Sequence, residues 1–298
     1  MISGHYGEFA ALLVAVFWSI TALSFEKASK KVGSLPVNII RLVIGFFFLT
    51  LLNLVMRGMI LPTDATAHNW LWLSISGIIG FVLGDFFLFK SYTIIGSWFA
   101  MLIMTLAPPM AAVFGWFLID EQLSLLAILG IVITMAGIVI AMFTHDKENR
   151  RFSINKSLRG ILYAFGGALG QALGIVISKY GMQGYDPFAA TQIRIITGII
   201  GFVLMITIMG KWQSVRAAVA DRKALMPITI GSFFGPFLGV SFSLLAIQHT
   251  STGIASTIMA LVPIFIIPPS IWLFKHKITL PEIIGTIVSL IGVALFFL

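Results

Sequence analysis

The sequence predicts an all-α integral membrane protein, ten transmembrane helices arranged as two inverted five-helix repeats. Three observations lead there. Apolar residues make up 59% of the 298-residue chain and charged residues only 10%, against roughly 25% charged in soluble proteins. The apolar residues come in runs near the ~20 residues that cross a bilayer as a helix. The second half of the chain also repeats the glycine and proline pattern of the first.

A soluble fold of this length cannot hide so much apolar surface, whereas hydrocarbon solvates it. Spans fall near 8–26, 36–56, 70–90, 97–119, 123–143, 158–178, 187–209, 225–247, 252–274 and 281–298. The run 224–274 holds no Asp, Glu, Lys or Arg across 51 residues, too long for one helix, and His249-Thr250-Ser251-Thr252-Gly253 supplies a polar turn in its middle. Thr93–Ser97 divides the third span from the fourth in the same way. Phe9–Phe25 runs straight into Glu26 and Lys27, with no basic segment before it and no small-residue cleavage site after it. It reads as a retained first span rather than a leader.

The net charge of +8 raises the question of nucleic acid. The cations instead sit in short clusters between apolar runs, the pattern of loops facing an anionic membrane surface. Ten spans put 15 of the 19 basic residues on one face: Lys27, Lys30, Lys31, Lys90, Lys147, Arg150, Arg151, Lys156, Arg159, Lys211, Arg216, Arg222, Lys223, Lys275 and Lys277. The other face receives Arg57 and Lys179, while Arg41 and Arg194 lie within spans. The bias places the linker 144–157 in the cytoplasm and both termini outside. On that face the sequon Asn155-Lys156-Ser157 goes unused.

The repeat defines two units, 1–143 and 158–298. At an offset of 155, Gly80, Gly84, Pro108, Gly130 and Gly137 meet Gly235, Gly239, Pro263, Gly285 and Gly292. At an offset of 153, Arg41 meets Arg194, Gly45 meets Gly198 and Trp18 meets Gln171. Five spans per copy is odd, so the second copy enters the membrane upside-down. Inverted repeats build many secondary transporters, with the solute site near the midplane between the halves.

Taken in order and duplicated, these features resemble the EamA family of the drug/metabolite transporter superfamily over nearly the whole chain. The features are Arg41 and Arg194 early in each second span, Pro108 and Pro263 in each fourth, Asp120-Glu121 ending the first copy's fourth, and the pairs Gly130/Gly137 and Gly285/Gly292 in each fifth. The resemblance implies a ten-helix exporter or exchanger of metabolites with no ATPase domain, set in the bacterial cytoplasmic membrane. Two departures stand out. Lys275-His276-Lys277 occupies the place of the second copy's acidic residue, and the charge count opposes the family habit of cytoplasmic termini.

An ionisable side chain inside a bilayer costs several kcal/mol unless paired or hydrated. Asp85, about two-thirds along the third span, therefore reads as a cation or proton site, or as an ion pair with Lys90, Arg41 or Arg194. Val240 stands at its repeat-equivalent position, so the role is asymmetric. Arg41 and Arg194 read as snorkelling or carbonyl-bonding groups, or as captors of a carboxylate or phosphate. Trp18, Ser19, Thr21, Gln171, Ser178, Ser241, Ser243, Gln248, Ser256 and Thr257 mark polar stripes. Each can line a pore or glue helices. Tyr92, Trp98, Met101, Met104 and Met259 suit an apolar pocket or simple packing. Pro108 and Pro263 are hinge candidates, or static kinks. Gly166 and Gly170 have the spacing of a close helix contact within the bundle.

The chain lacks cysteine, and no phosphate-binding loop, HExxH or CxxC motif occurs. The sequence thus predicts no metal, no cofactor and no enzyme. The expected partners are a small-molecule substrate, protons as candidate coupling ion, and membrane lipids. The leading expectation is an exporter or exchanger of amino acids or amphipathic drugs. The alternative is a translocator of phosphorylated sugars or lipid-linked intermediates.

Overall fold

Backbone amides in hydrocarbon find no water to bond, so the chain satisfies them within helices. The computed structural model describes residues 6–119, 125–145, 152–154, 157–249, 255, 258–274 and 279–296. In chain order the helices are α1 (Tyr6–Val32), α2 (Ser34–Arg57), α3 (Ala67–Ile95), α4 (Ser97–Leu118), α5 (Leu125–Met142), α6 (Leu158–Met182), α7 (Pro187–Ile208), α8 (Trp212–Ala220), α9 (Arg222–His249), α10 (Val262–Phe274) and α11 (Leu280–Phe296). Seven of them (α1–α4, α6, α7 and α9) are long and apolar enough to cross a membrane, and α5, α10 and α11 carry shorter apolar runs. Strands β1 (Phe143–His145) and β2 (Phe152–Ile154) pair antiparallel between α5 and α6. Asp120-Glu121, most of the 144–157 linker, Thr250–Gly253, Ser256, Thr257 and Lys275-His276-Lys277 lie outside the described residues.

The outer surface is apolar. Val55, Met56, Leu125, Ile208 and Trp272 are 74–82% exposed, which only lipid makes tolerable. The protein is thus a multi-pass membrane protein whose long apolar elements are all helices, with the short β1–β2 pair between α5 and α6 as the departure from the all-α expectation. Polar caps fix where helices start, and α3 begins three residues before its expected span. Thr66 and Asn69 form a reciprocal capping box at the start of α3. Asp186 caps α7, with Pro187 in the first turn. Beside the strands β1 and β2, one helix was not expected: α8, in a stretch whose cations suggested only a loop, buries Val215 and Ala218 and leaves Trp212 and Val219 outside.

Two further features escape sequence reading. Both α3 and α9 widen into π-helical turns, at Ile78–Gly84 and Phe233–Gly239, again 155 residues apart. Helix α4 breaks at Thr105–Leu106, just before Pro108 and Pro109, whose rings carry no N–H to bond.

Glycine decides how closely the helices approach. Along α3 and α6 the contacts run antiparallel, from Gly84 against Gly170 through Gly80 against Gly174 to Trp72 against Gly181. A Cβ added to Gly170 would lie 2.6 Å from the Gly84 Cα, so the two backbones touch. Ser76 and Ser178 Oγ lie 2.6 Å apart and each is 2.8 Å from the Gly174 carbonyl, so one hydroxyl donates to the carbonyl and the other donates to its neighbour or shares that carbonyl. Gly170 thus does pack within the bundle, while Gly166 meets Phe87.

The pair α5 and α11 meets in the same way. A Cβ on Gly137 would strike Ser289, and one on Gly292 would strike Thr134. Thr134 donates to the Ser289 carbonyl at 3.3 Å, and Ser289 donates to the Thr134 carbonyl at 3.2 Å. These contacts exchange under the 155-residue offset, and they run antiparallel. Reciprocity of this kind is what a local two-fold axis produces.

Candidate substrate cavity

A cavity of about 140 Å³ lies between α1, α2, α3, α4, α6, α9 and α10, room for roughly five water molecules. Most of its wall is apolar: Phe25, Phe81, Leu88, Phe89, Met101, Met104, Met259 and the prolines Pro108, Pro236 and Pro263. Its polar side chains are Trp18, Thr21, Arg41, Asp85, Tyr92, Thr105 and Gln171.

The π turn of α3 sets the polar cluster. The Asp85 N–H reaches back five residues to the Gly80 carbonyl, which ends the turn and starts the next α segment. Asp85 is 5% exposed and Arg41 3%. The Arg41 guanidinium donates to Asp85 Oδ2 at 2.5 Å, and Gln171 Nε2 donates to Oδ1 at 2.7 Å. Both carboxylate oxygens are thus used, from two helices. Gln171 also reaches the Gly80 carbonyl at 3.4 Å.

Asn38 holds the arginine from behind. Its Oδ1 accepts from Arg41 Nε at 3.2 Å, and its Nδ2 donates to the Ser34 carbonyl at 3.0 Å. Aromatic faces complete the cage: the guanidinium lies 4.8 Å from the Phe89 ring centre and 5.6 Å from that of Phe81.

Arg194 occupies the far side of Phe81, 4.8 Å from that ring's centre. It is 3% exposed, and its Nε has no hydrogen-bond partner among the described residues. The Asp85 carboxylate is the countercharge whose field reaches it. Two buried guanidiniums therefore lie near one carboxylate, which bonds Arg41 and not Arg194 among the described residues. Snorkelling describes neither arginine, because both are buried in the bundle rather than extended to an interface.

The structure sorts the remaining candidates. Trp18, Tyr92, Gln171, Pro108 and Pro263 line the cavity together with Arg41 and Asp85. Arg194 stands just behind the lining. Ser241 is buried elsewhere in α9, its hydroxyl without a partner among the described residues. Gln248 lies at the far end of that helix and donates to the Tyr185 carbonyl at 3.0 Å. Neither belongs to the cavity, because the π turn of α9 turns other residues, Gly235, Pro236 and Val240, to the lining. Asn38, Phe81 and Phe89 are the residues sequence reading missed. Asn38, three positions before Arg41 in an apolar span, carried a readable signal. The two phenylalanines carried none.

A buried charged cluster in a lipid-embedded, helix-lined cavity defines a membrane carrier. The chain belongs to the EamA-like transporter family, which matches residues 5–143 and 158–298, and with it to the drug/metabolite transporter superfamily. It is 22% identical over 287 residues to an uncharacterized transporter of Clostridium kluyveri, covering 96% of this chain and 91% of that protein. It is 25% identical over 235 residues to human solute carrier family 35 member G1, covering 76% of this chain and 61% of that one. A crystal structure with 16% identity superposes with a TM-score of 0.63 over 97% of this chain and 95% of the other, which shows a shared fold.

Proposed function

We propose that the protein is a secondary transporter that exports or exchanges small organic metabolites, amino acids or amphipathic drugs, by alternating access. In this reading ten spans form two inverted halves, 1–143 and 158–298, joined by the linker 144–157, in the bacterial cytoplasmic membrane. The antiparallel, reciprocal contact of α5 with α11 and the paired π turns support the inverted arrangement. Pro108, beside the break in α4, and Pro263, in the first turn of α10, are the hinges.

One observation carries the solute reading: opposite charges, Arg41 and Asp85, lie side by side on an otherwise apolar wall. A zwitterion can replace each charge's partner, its carboxylate going to Arg41 and its ammonium to Asp85, while an apolar side chain covers Trp18 and the methionines. Counterflow in proteoliposomes tests it. Preloaded amino acid accelerates labelled uptake if the reading holds, and no solute from an amino-acid and cationic-drug panel exchanges if it fails. Asp85 is also the candidate coupling group. Asp85→Asn is expected to abolish dependence of flux on a pH gradient, and coupling that survives the substitution removes the proton role.

A second reading draws on Arg194. Its unpartnered Nε and the surplus of positive charge suit a phosphate or carboxylate, as in a translocator of phosphorylated sugars or lipid-linked intermediates. Arg194→Gln then loses sugar-phosphate exchange by roughly tenfold or more, the scale of one charged hydrogen bond, while the protein stays folded. Amino-acid exchange that persists in this variant favours the first reading.

A further inference from the structure

Glu26 is a buried carboxylate that the solute chemistry does not use. It lies near the end of α1 and is 3% exposed. Its Oε2 accepts from the Ser97 backbone N–H at 2.8 Å and from the Ser97 hydroxyl. Its Oε1 accepts from Lys30 Nζ at 2.5 Å. Ser97 is the first residue of α4. The first N–H groups of a helix have no partner within it, so Glu26 caps α4 from another helix.

What α4 carries gives this tie its meaning. The half-helix Ser97–Met104 is bounded by Gly96 at one end, with φ of +80°, and by the Thr105–Leu106 break at the other. Met101 and Met104 project from it into the cavity. On α1, Trp18, Thr21 and Phe25 line the same cavity, and Phe25 is the residue next to Glu26. The bond therefore joins two cavity walls at the end where α1 stops and α4 begins. The repeat does not reproduce it: Lys179 stands 153 residues after Glu26.

We propose that Glu26 is a positioning residue for transport, a latch that closes the cavity toward the Lys30 face. Opening that way parts Glu26 from Ser97 and lets Ser97–Met104 swing about the Thr105–Pro108 break. The inference rests on the alternating-access reading above.

The absence of cysteine makes the test direct. Met101→Cys is labelled in proteoliposomes with a membrane-impermeant thiol reagent from each side, alone and with Glu26→Ala. The expected result is faster labelling from the Lys30 side and slower from the other, their ratio moving roughly tenfold, the scale of one charged hydrogen bond. Ser97→Ala, which keeps the backbone donor, moves the ratio the same way but less, and Glu26→Gln falls between. It stands in if Glu26→Ala does not fold. A mere structural cap raises labelling equally from both sides or lowers thermal stability with the ratio unchanged, and either result overturns the latch while leaving alternating access intact. Labelling from one side alone in every background removes alternating access and the latch with it.

Discussion

Where α3 meets α6, Asp85 and Gln171 reach into the cavity and bond each other. Where α1 meets α9, the repeat-equivalent residues are Val240 and Trp18, which also line the cavity but make no such bond. The backbones differ in the same sense. Gly80 and Gly84 lie against Gly174 and Gly170, whereas Gly235 and Gly239 meet the side chains of Thr21 and Trp18. One seam is closed by backbone contact and carries the charge. The other is held open by side chains and carries no charge. Duplication supplied two copies of a helix pair with the same π turn, and substitution at the facing positions made one a polar wall and the other an apolar one. In the proposed alternating-access cycle, the symmetric frame would let the two halves exchange conformations, and the asymmetric lining would give an amphipathic solute a single way to lie.

Breaking the polar wall carries the largest expected effect. Arg41→Ala leaves Asp85 buried with its charge unmet by its closest cation, a loss on the order of 3–5 kcal/mol for removing one partner of a buried pair. The melting temperature in detergent is expected to drop sharply, with folded yield falling alongside. Arg41→Ala combined with Asp85→Asn recovers most of the loss, because no carboxylate is then left alone. A double variant as unstable as the single one means that Arg41 acts through its cage of Phe81, Phe89 and Asn38 rather than through Asp85.

The two seams answer next. Gly170→Ala drives a methyl against the Gly84 backbone, which cannot step aside, and overpacking of that kind costs about 1–3 kcal/mol. Gly235→Ala meets the Thr21 methyl at 2.8 Å, a side chain on the looser seam with some room to shift, and is expected to cost less than half as much. Thermal melts of the pair decide it. Equal losses erase the distinction between a closed and an open seam.

How much of this the sequence discloses depends on whether a feature is local. Ten apolar runs, the duplicated glycines and the burial cost of Asp85 are local, and they lead to the membrane fold and to Arg41, Asp85, Gln171 and Trp18 as separate candidates in need of partners. Partner choice is not local. Lys90, Arg41 and Arg194 were all open to Asp85, and the π turn after Gly77 is what aims Asp85 at Arg41. The same kind of turn in α9 leaves Ser241 and Gln248 out of the cavity, although both lie on a polar stripe. Helix α8 hid because its cations read as a loop, while its apolar face, Val215 and Ala218, is too short to register as a period.

The smallest effect sharpens the apolar wall. Trp18 stands at the position of Gln171, so Trp18→Gln makes the two walls chemically alike without disturbing the Arg41–Asp85 pair. Folding is expected to hold, since Trp18 is only partly buried and the new side chain is smaller. What changes is recognition. An aromatic or other bulky apolar solute loses its flat partner, and its KM rises by about tenfold, equivalent to about 1.4 kcal/mol, while a small polar amino acid is transported nearly as before. The ratio of kcat/KM for phenylalanine to that for serine in proteoliposomes reads this directly. A ratio that stays constant in Trp18→Gln puts selectivity elsewhere, on Met101, Met104 and Met259 or on the polar wall alone, and the division of labour between the walls fails.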